Sequence, residues 1–356
     1  MRPTTARHAA AFLLLAAGRV TAVTAQQPSV TVGGVTARAG EMASGFIAVP
    51  AGVDSGTRIP ITVARGREPG PALALVAGTH GAEVAPIVAL QRLRAMVDPQ
   101  TLRGTLILVH VANMPSFLNR TVYRGPWDGK NLNRVYPGRA DGTVSERIAY
   151  AITNDVIARA DYLVDMHAGD GNESLRPFTY WSKLGLDRRA DSLAREMALA
   201  WGNDHIVIDT ERPRDPAASV YTQNTAHLRG KPALTTETGY LGVAAEDAVE
   251  RNVRGALRLM RYLRMIPGNA ERVEHPLWLD RTEVLTSPAT GIWYPQVERG
   301  QAVQKGTLLG YVTDFFGARA GEVHAPFAGV VLYVIGTPPT SKSEPLAMVG
   351  HVVEEP

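Results

Sequence analysis

Four short segments of this sequence carry residues suited to chemistry. In Gly78-Thr79-His80-Gly81-Ala82-Glu83 an imidazole and a carboxylate stand three residues apart. The segment follows the apolar run Ala72–Ala77 and precedes a helix-period stretch at Val84–Val97, so both side chains fall on a strand-to-helix turn, close enough to hold one cation. Flanking glycines let the backbone turn tightly there. H-x-x-E alone is also a common surface spacing. Asp165-Met166-His167 ends the apolar run Tyr162–Met166 and sets a second imidazole on the same rim of strand ends. Two imidazoles and one carboxylate leave the fourth position of a Zn²⁺ ion open to water, the pattern of a catalytic rather than a structural centre. Such an ion lowers the pKa of its water towards ~7 and polarises a carbonyl. Taken alone, His167 reads equally well as a satisfied, partly buried strand-end histidine.

Thr235-Thr236-Glu237-Thr238-Gly239-Tyr240 places Glu237 at the end of the run Ala233–Thr236, again on the rim. A carboxylate there can accept a proton from an activated water and return it to a leaving nitrogen; the alternative is a loop carboxylate bonded to nearby backbone N–H groups. Asn131-Leu132-Asn133-Arg134-Val135-Tyr136-Pro137-Gly138 brings a guanidinium beside an amide, a pairing suited to gripping a carboxylate. Upstream, Arg120 and Arg124 add two cations in a loop, either of which could stabilise an oxyanion. Without the other segments they read as a solvated basic loop.

The elements that must position these groups alternate. Strand-like runs occur at Ile59–Val63, Ala72–Ala77, Thr105–Ala112, Tyr162–Met166, His205–Ile208 and Ala233–Thr236. Helix-period stretches lie between them at Val84–Val97, Thr143–Ala160, Leu186–Trp201 and Ala245–Leu263, with Pro86 in a first turn, where a missing N–H is harmless. The alternation predicts an α/β domain with a parallel or mixed sheet, in which sites collect beyond the carboxyl ends of strands. Residues 26–45 read as a lead-in. Near Ile266-Pro267-Gly268 the helical period stops, and short runs punctuated by Gly and Pro follow to the end, the pattern of a small all-β domain. The domain boundary is set at 268, giving 26–267 and 268–356.

Residues 1–25 combine Arg2 and Arg7, the apolar run AAAFLLLAAG and small residues before Gln26. This is the pattern of a secretory signal peptide cleaved near Ala25, with an apolar run too short to span a bilayer, and it predicts a periplasmic or secreted protein. The segment carries three arginines and no acid, so the rest of the chain balances 34 basic against 34 acidic residues. Net charge therefore gives no reason to expect a nucleic-acid or anionic-membrane partner. Cysteine is absent, which excludes Cys-type zinc ribbons and leaves His and carboxylates as metal ligands.

Taken in order, GTHGAE (78–83), DGKNLNRVYPG (128–138), DMH (165–167) and TETGY (236–240) resemble the succinylglutamate desuccinylase/aspartoacylase family, a branch of the zinc carboxypeptidase-like fold. The resemblance implies a mixed sheet flanked by helices and a barrel-sandwich-like C-terminal β domain. It implies one Zn²⁺ per chain on His80, Glu83 and His167, Glu237 as general base and acid, and Asn133 with Arg134 as clamp for a substrate carboxylate. Arg120 is the preferred oxyanion residue and Arg124 its rival. Many relatives carry Asp where this chain has Asn131; an amide still accepts from an imidazole N–H but adds no charge, and Asp165 could supply the missing carboxylate. The C-terminal segments GQAVQKG (300–306) and HAPFAGVV (324–331) resemble a lipoyl/biotinyl-type β-sandwich hybrid without a carrier lysine motif, so a packing role is expected. His324, His351, His110 and His227 are then ordinary histidines. The implied activity is hydrolysis of an amide in a small carboxylate-bearing substrate, foremost an N-acyl amino acid. An exported carboxypeptidase acting on peptides or cell-wall stems is the second reading, and a non-catalytic binding protein on the same scaffold the third.

Overall fold

Leu73-Ala74-Leu75-Val76-Ala77 shows why one strand becomes the centre of the molecule. In the computed structural model, which describes residues 29–356, Leu73, Leu75 and Ala77 enter one hydrophobic core while Ala74 and Val76 enter another. A strand covered on both faces reads as an unbroken apolar run rather than as an alternation. The segment expected to be a signal peptide, residues 1–25, lies outside the described residues.

Two short strands, β1 (Ser29–Val32) and β2 (Val35–Arg38), form a hairpin, and β3 (Glu41–Val49) pairs antiparallel with β4 (Thr57–Arg65). The stretch expected as a lead-in is thus ordered: Val32, Val35 and Ala37 are buried against Ile47 and Val49, an alternation too short to register as a strand by itself. Then come β5 (Glu68–Ala77), α1 (Val84–Met96), β6 (Arg103–Val109) and the short α2 (Met114–Asn119). The helix expected over 143–160 holds α geometry only as α3 (Val144–Ala151) before a π turn at Ile152–Val156 and a 3-10 turn at Ile157–Arg159. Four β-branched residues, Ile152, Thr153, Val156 and Ile157, crowd that stretch.

β7 (Tyr162–His167), β8 (Glu173–Leu175) and β9 (Phe178–Ser182) follow, then α4 (Arg188–Trp201), β10 (His205–Asp209), α5 (Thr222–His227), β11 (Ala233–Glu237) and α6 (Glu246–Tyr262). The C-terminal part is all β: β12 (Leu277–Thr286), β13 (Gly291–Pro295), β14 (Ala302–Val303), β15 (Leu308–Thr313), β16 (Arg319–His324), β17 (Gly329–Ile335), β18 (Pro339–Thr340) and β19 (Pro345–Val353).

These strands do not form two separate sheets divided at the change of pattern. One mixed sheet runs β14-β17-β19-β12-β10-β9-β11-β7-β5-β6-β4-β3, with β8 joined to β17. The first C-terminal strand, β12, lies parallel to β10, so the α/β and all-β parts share their hydrogen bonding. A four-stranded sheet, β16-β15-β13-β18, completes the C-terminal part. At the middle of the large sheet β5, β7 and β11 are parallel, and their carboxyl ends form one rim. Helices α1, α4 and α6 cover one face; α3 and α5 lie against the other. Among the described residues no helix is long and apolar enough to cross a membrane.

Candidate metal centre

Gly78 and Gly81 explain how the chain turns off β5 into α1 with His80 and Glu83 facing inward. Gly78 has φ +69°, in the left-handed region, and a Cβ on Gly81 would stand 2.1 Å from the Phe117 nitrogen of α2. Glu83 occupies the N-cap position of α1 without capping it. Its side chain is spent on the two histidines instead. His80 Nδ1 lies 2.7 Å from Glu83 Oε1, and His167 Nδ1, from the end of β7, lies 2.8 Å from Oε2. The ring centroids are 5.0 Å apart, and the three donor atoms all fall within 4.8 Å of one another in a buried corner.

This donor set fits a divalent zinc-like ion. Glu83 Oε2 has no hydrogen-bond partner although a ring nitrogen is 2.8 Å away, so the two atoms approach closely without the alignment of a donor and an acceptor. Lone pairs converging on a common point produce that geometry. Charge points the same way. Burial alone would raise the Glu83 pKa, yet the His167 and His80 rings beside it bring it down to about 2. Burial likewise works against charge on His167, but Asp165 and Glu83 hold its pKa well above the ordinary imidazole value. His80 is raised by Glu83 against its own burial. The buried carboxylates thus draw positive charge into this corner, which one dication would supply.

The far sides of the rings are held as well. Asn131 Oδ1 is 3.0 Å from His80 Nε2 and also accepts the Asn133 backbone N–H at 2.8 Å, which fixes the amide's orientation. The residue that departs from the family pattern therefore still orients its histidine, by an uncharged bond. Asp165 sits behind the other ring, its Oδ2 3.1 Å from His167 Nε2. Asn133 approaches the same nitrogen at 3.2 Å through Nδ2, its Oδ1 accepting from the Thr222 N–H at 2.9 Å. With Nδ1 of His167 turned to the metal corner, Nε2 faces the Asp165 carboxylate, and a proton carried there would be directed at Asp165.

Parallel register places Glu237 directly beside His167. Burial, with Glu83, Glu173 and Asp165 nearby, holds its pKa well above the carboxylate range against the pull of His167. Glu237 lines one cavity of about 420 Å³ with His80, His167, Asn133 and Arg134. Arg120 and Arg124 do not line it. Arg120 caps α2 at φ +55° and is exposed; Arg124 is exposed and bonds Gly129 O at 3.2 Å.

The cavity instead contains residues that sequence spacing did not single out: Tyr180 on β9, Arg212 and Tyr221 on the connection from β10 to α5, and Arg281 on β12. Behind the metal corner Tyr123 packs edge-on to His80 at 6.3 Å and donates its hydroxyl to Glu173 at 2.6 Å. Burial pushes Glu173 up to about 7. His110 bonds Thr62 at 2.8 Å and His227 bonds Asp191 at 2.8 Å; His324 and His351 face Glu322 and Asp280 on the C-terminal part. None of these four joins the metal corner.

A family profile described as "Succinylglutamate desuccinylase/Aspartoacylase catalytic domain" matches residues 69–263. The chain belongs to that family. It is 28% identical over 341 residues to the N-alpha-acetyl-L-2,4-diaminobutyric acid deacetylase of Halomonas elongata, covering 92% of this chain and 97% of the relative. The product-bound ectoine utilization protein EutE (DoeB) of Ruegeria pomeroyi superposes with TM-score 0.78 at 27% identity, over 88% of this chain and 96% of that one. A succinylglutamate desuccinylase/aspartoacylase structure from Rhodobacter sphaeroides has TM-score 0.77 at 24% identity, over the same shares, and shows a common fold. As a member of the desuccinylase/aspartoacylase family the protein is a hydrolase of amide bonds.

Proposed function

We propose that this hydrolase is a zinc-dependent, exported deacylase of small N-acyl amino acids. One observation carries the reading: the two histidines of a buried His-Glu-His donor set, an adjacent carboxylate of raised pKa and an Asn–Arg pair line a single cavity of about 420 Å³. That volume suits a small molecule. The relative named as an N-acetyl-diaminobutyrate deacetylase supports the acyl-amino-acid class, and the basic–apolar–small pattern of residues 1–25 supports export.

His80, Glu83 and His167 would hold the ion, which supplies a water activated near neutral pH and a Lewis acid for the scissile carbonyl. Arg134 presents its guanidinium to the substrate carboxylate, with Nη1 tethered to Asn133 O at 2.8 Å and its carbon 4.7 Å from the Tyr221 ring centroid. Asn133 ties that grip to the metal corner, because the same side chain approaches His167. Glu237 takes the proton of the attacking water and delivers it to the departing nitrogen. Burial raises the carboxylate's proton affinity, which suits it to both halves of the task.

The test is a panel of N-acetyl and N-succinyl amino acids beside short peptides, with purified, metal-analysed protein. Turnover of acyl amino acids with little peptide cleavage is expected. Peptide cleavage without deacylation would replace the deacylase reading by the carboxypeptidase one.

A further inference from the structure

Arg212 is a guanidinium in the active-site cavity that neither the metal corner nor the Asn133–Arg134 pair uses. Its Nε is bound to Asp209 at the end of β10, and its carbon lies 5.2 Å from the Tyr180 ring centroid and 4.1 Å from that of Tyr221. Burial works against the charge, but Asp209, Tyr180 and Tyr221 more than restore it. The side chain is thus locked in place through one nitrogen and the flat faces of two rings.

The rest of the guanidinium is free. Among the described residues neither Nη1 nor Nη2 of Arg212 bonds a protein acceptor, neither is a fully buried atom, and the residue lines the cavity, which leaves this two-nitrogen edge available to a ligand there. A staple between Asp209 and the β10–α5 connection would need only the Nε side. An open Nη edge held rigidly by aromatic faces is the fork that binds a carboxylate through two parallel hydrogen bonds. Tyr221 links this fork to the other: Arg134 stacks on the same ring at 4.7 Å. Arg281, the third arginine of the cavity, differs; it is exposed at the rim and lies over Phe327 at 4.3 Å.

We propose that Arg212 is the second arm of the substrate-carboxylate clamp, coupled to Arg134 through Tyr221, and that it sets the preference for substrates with a free carboxylate. The inference rests on the deacylase reading for its substrate, and on the cavity alone for its ligand chemistry. Asp209 is then a positioning residue that holds the fork at the right angle.

The experiment pairs N-acetyl-L-alanine with its carboxamide, N-acetyl-L-alaninamide, on wild type, Arg212→Gln and Arg212→Lys. Binding is followed by calorimetry and turnover by amine release. Loss of a charge-assisted fork should raise KM and Kd for the acid by about tenfold to a hundredfold in Arg212→Gln. The carboxamide should change less than about threefold, since it never used the charge. Arg212→Lys keeps the charge and the Asp209 contact but not the fork, and should recover part of the loss. Equal losses for acid and carboxamide, or no loss for either, would overturn the assignment. If wild type cleaves no N-acyl amino acid, the deacylase reading falls, and the two Kd values still decide whether Arg212 binds the carboxylate.

Discussion

Two walls of one cavity are built on different principles. The metal wall stands on the carboxyl ends of β5, β7 and β11, where strand register sets each side chain: Glu237 is opposite His167, and His80 and Glu83 sit on the turn leaving β5. The arginine wall hangs on connections. Arg134 ends a single 3-10 turn, and Arg212 lies on the loop from β10 to α5, each held by the Tyr221 ring. The groups that would converge on one point are on strand ends or on the turn that β5 and α1 fix between them. The arginines proposed to grip the substrate are on loops, which a rigid scaffold can vary without disturbing the chemistry.

If that division is right, the deepest effect comes from the metal wall. Glu237→Gln should lower turnover by about 10²- to 10⁴-fold, the usual worth of a general base, with metal content unchanged. In wild type, activity should rise with pH as Glu237 ionises, because the carboxylate form accepts the proton. Burial places that limb above the usual carboxylate range, while a bound dication draws it back down. Measurement of kcat/KM against pH checks the sign; a limb persisting unchanged in Glu237→Gln would assign it to another group.

The arginine wall predicts a smaller, selective loss. Arg134→Ala should weaken KM for carboxylate-bearing substrates by about tenfold or more, whereas Arg120→Ala and Arg124→Ala, exposed outside the cavity, should leave kcat/KM within about threefold. A collapse of kcat in Arg120→Ala would show that its loop enters the cavity with substrate bound. Smallest is the effect of Asn131→Asp. Restoring a carboxylate behind His80 adds charge to a bond already made, so metal affinity should rise by up to about tenfold, while Asn131→Leu should lower it by about 10- to 100-fold. Competition with a chelator reads both.

The same contrast explains what was legible in the sequence. His80, Glu83, His167 and Glu237 each end or follow an apolar run, so a strand-end reading finds them without a structure. Asn131 was visible as a departure, but that its amide keeps His80 oriented while Asp165 stands behind the other histidine depends on geometry. Arg212 and Tyr221 lie in a stretch with no periodicity, and their partnership with Arg134 arises only when three connections meet. In the fold, the central strands and long helices carry their own pattern. β3 was hidden because its first residues alternate weakly, and α5 because Thr222, Gln223, Asn224 and Thr225 favour a helix only when tertiary contacts bury them all. The continuity of the sheet across the change of composition near 268 is a pairing of β10 with a strand some seventy residues later, which no local window records.

The most direct measurement is metal analysis of the purified chain with activity assayed before and after chelation and re-addition. One zinc per chain is expected, with activity lost on chelation, regained with zinc, and both properties lost together in Glu83→Gln and His167→Ala. Full amide hydrolysis by metal-free protein, or undiminished zinc content in those two variants, would contradict a catalytic centre at His80, Glu83 and His167.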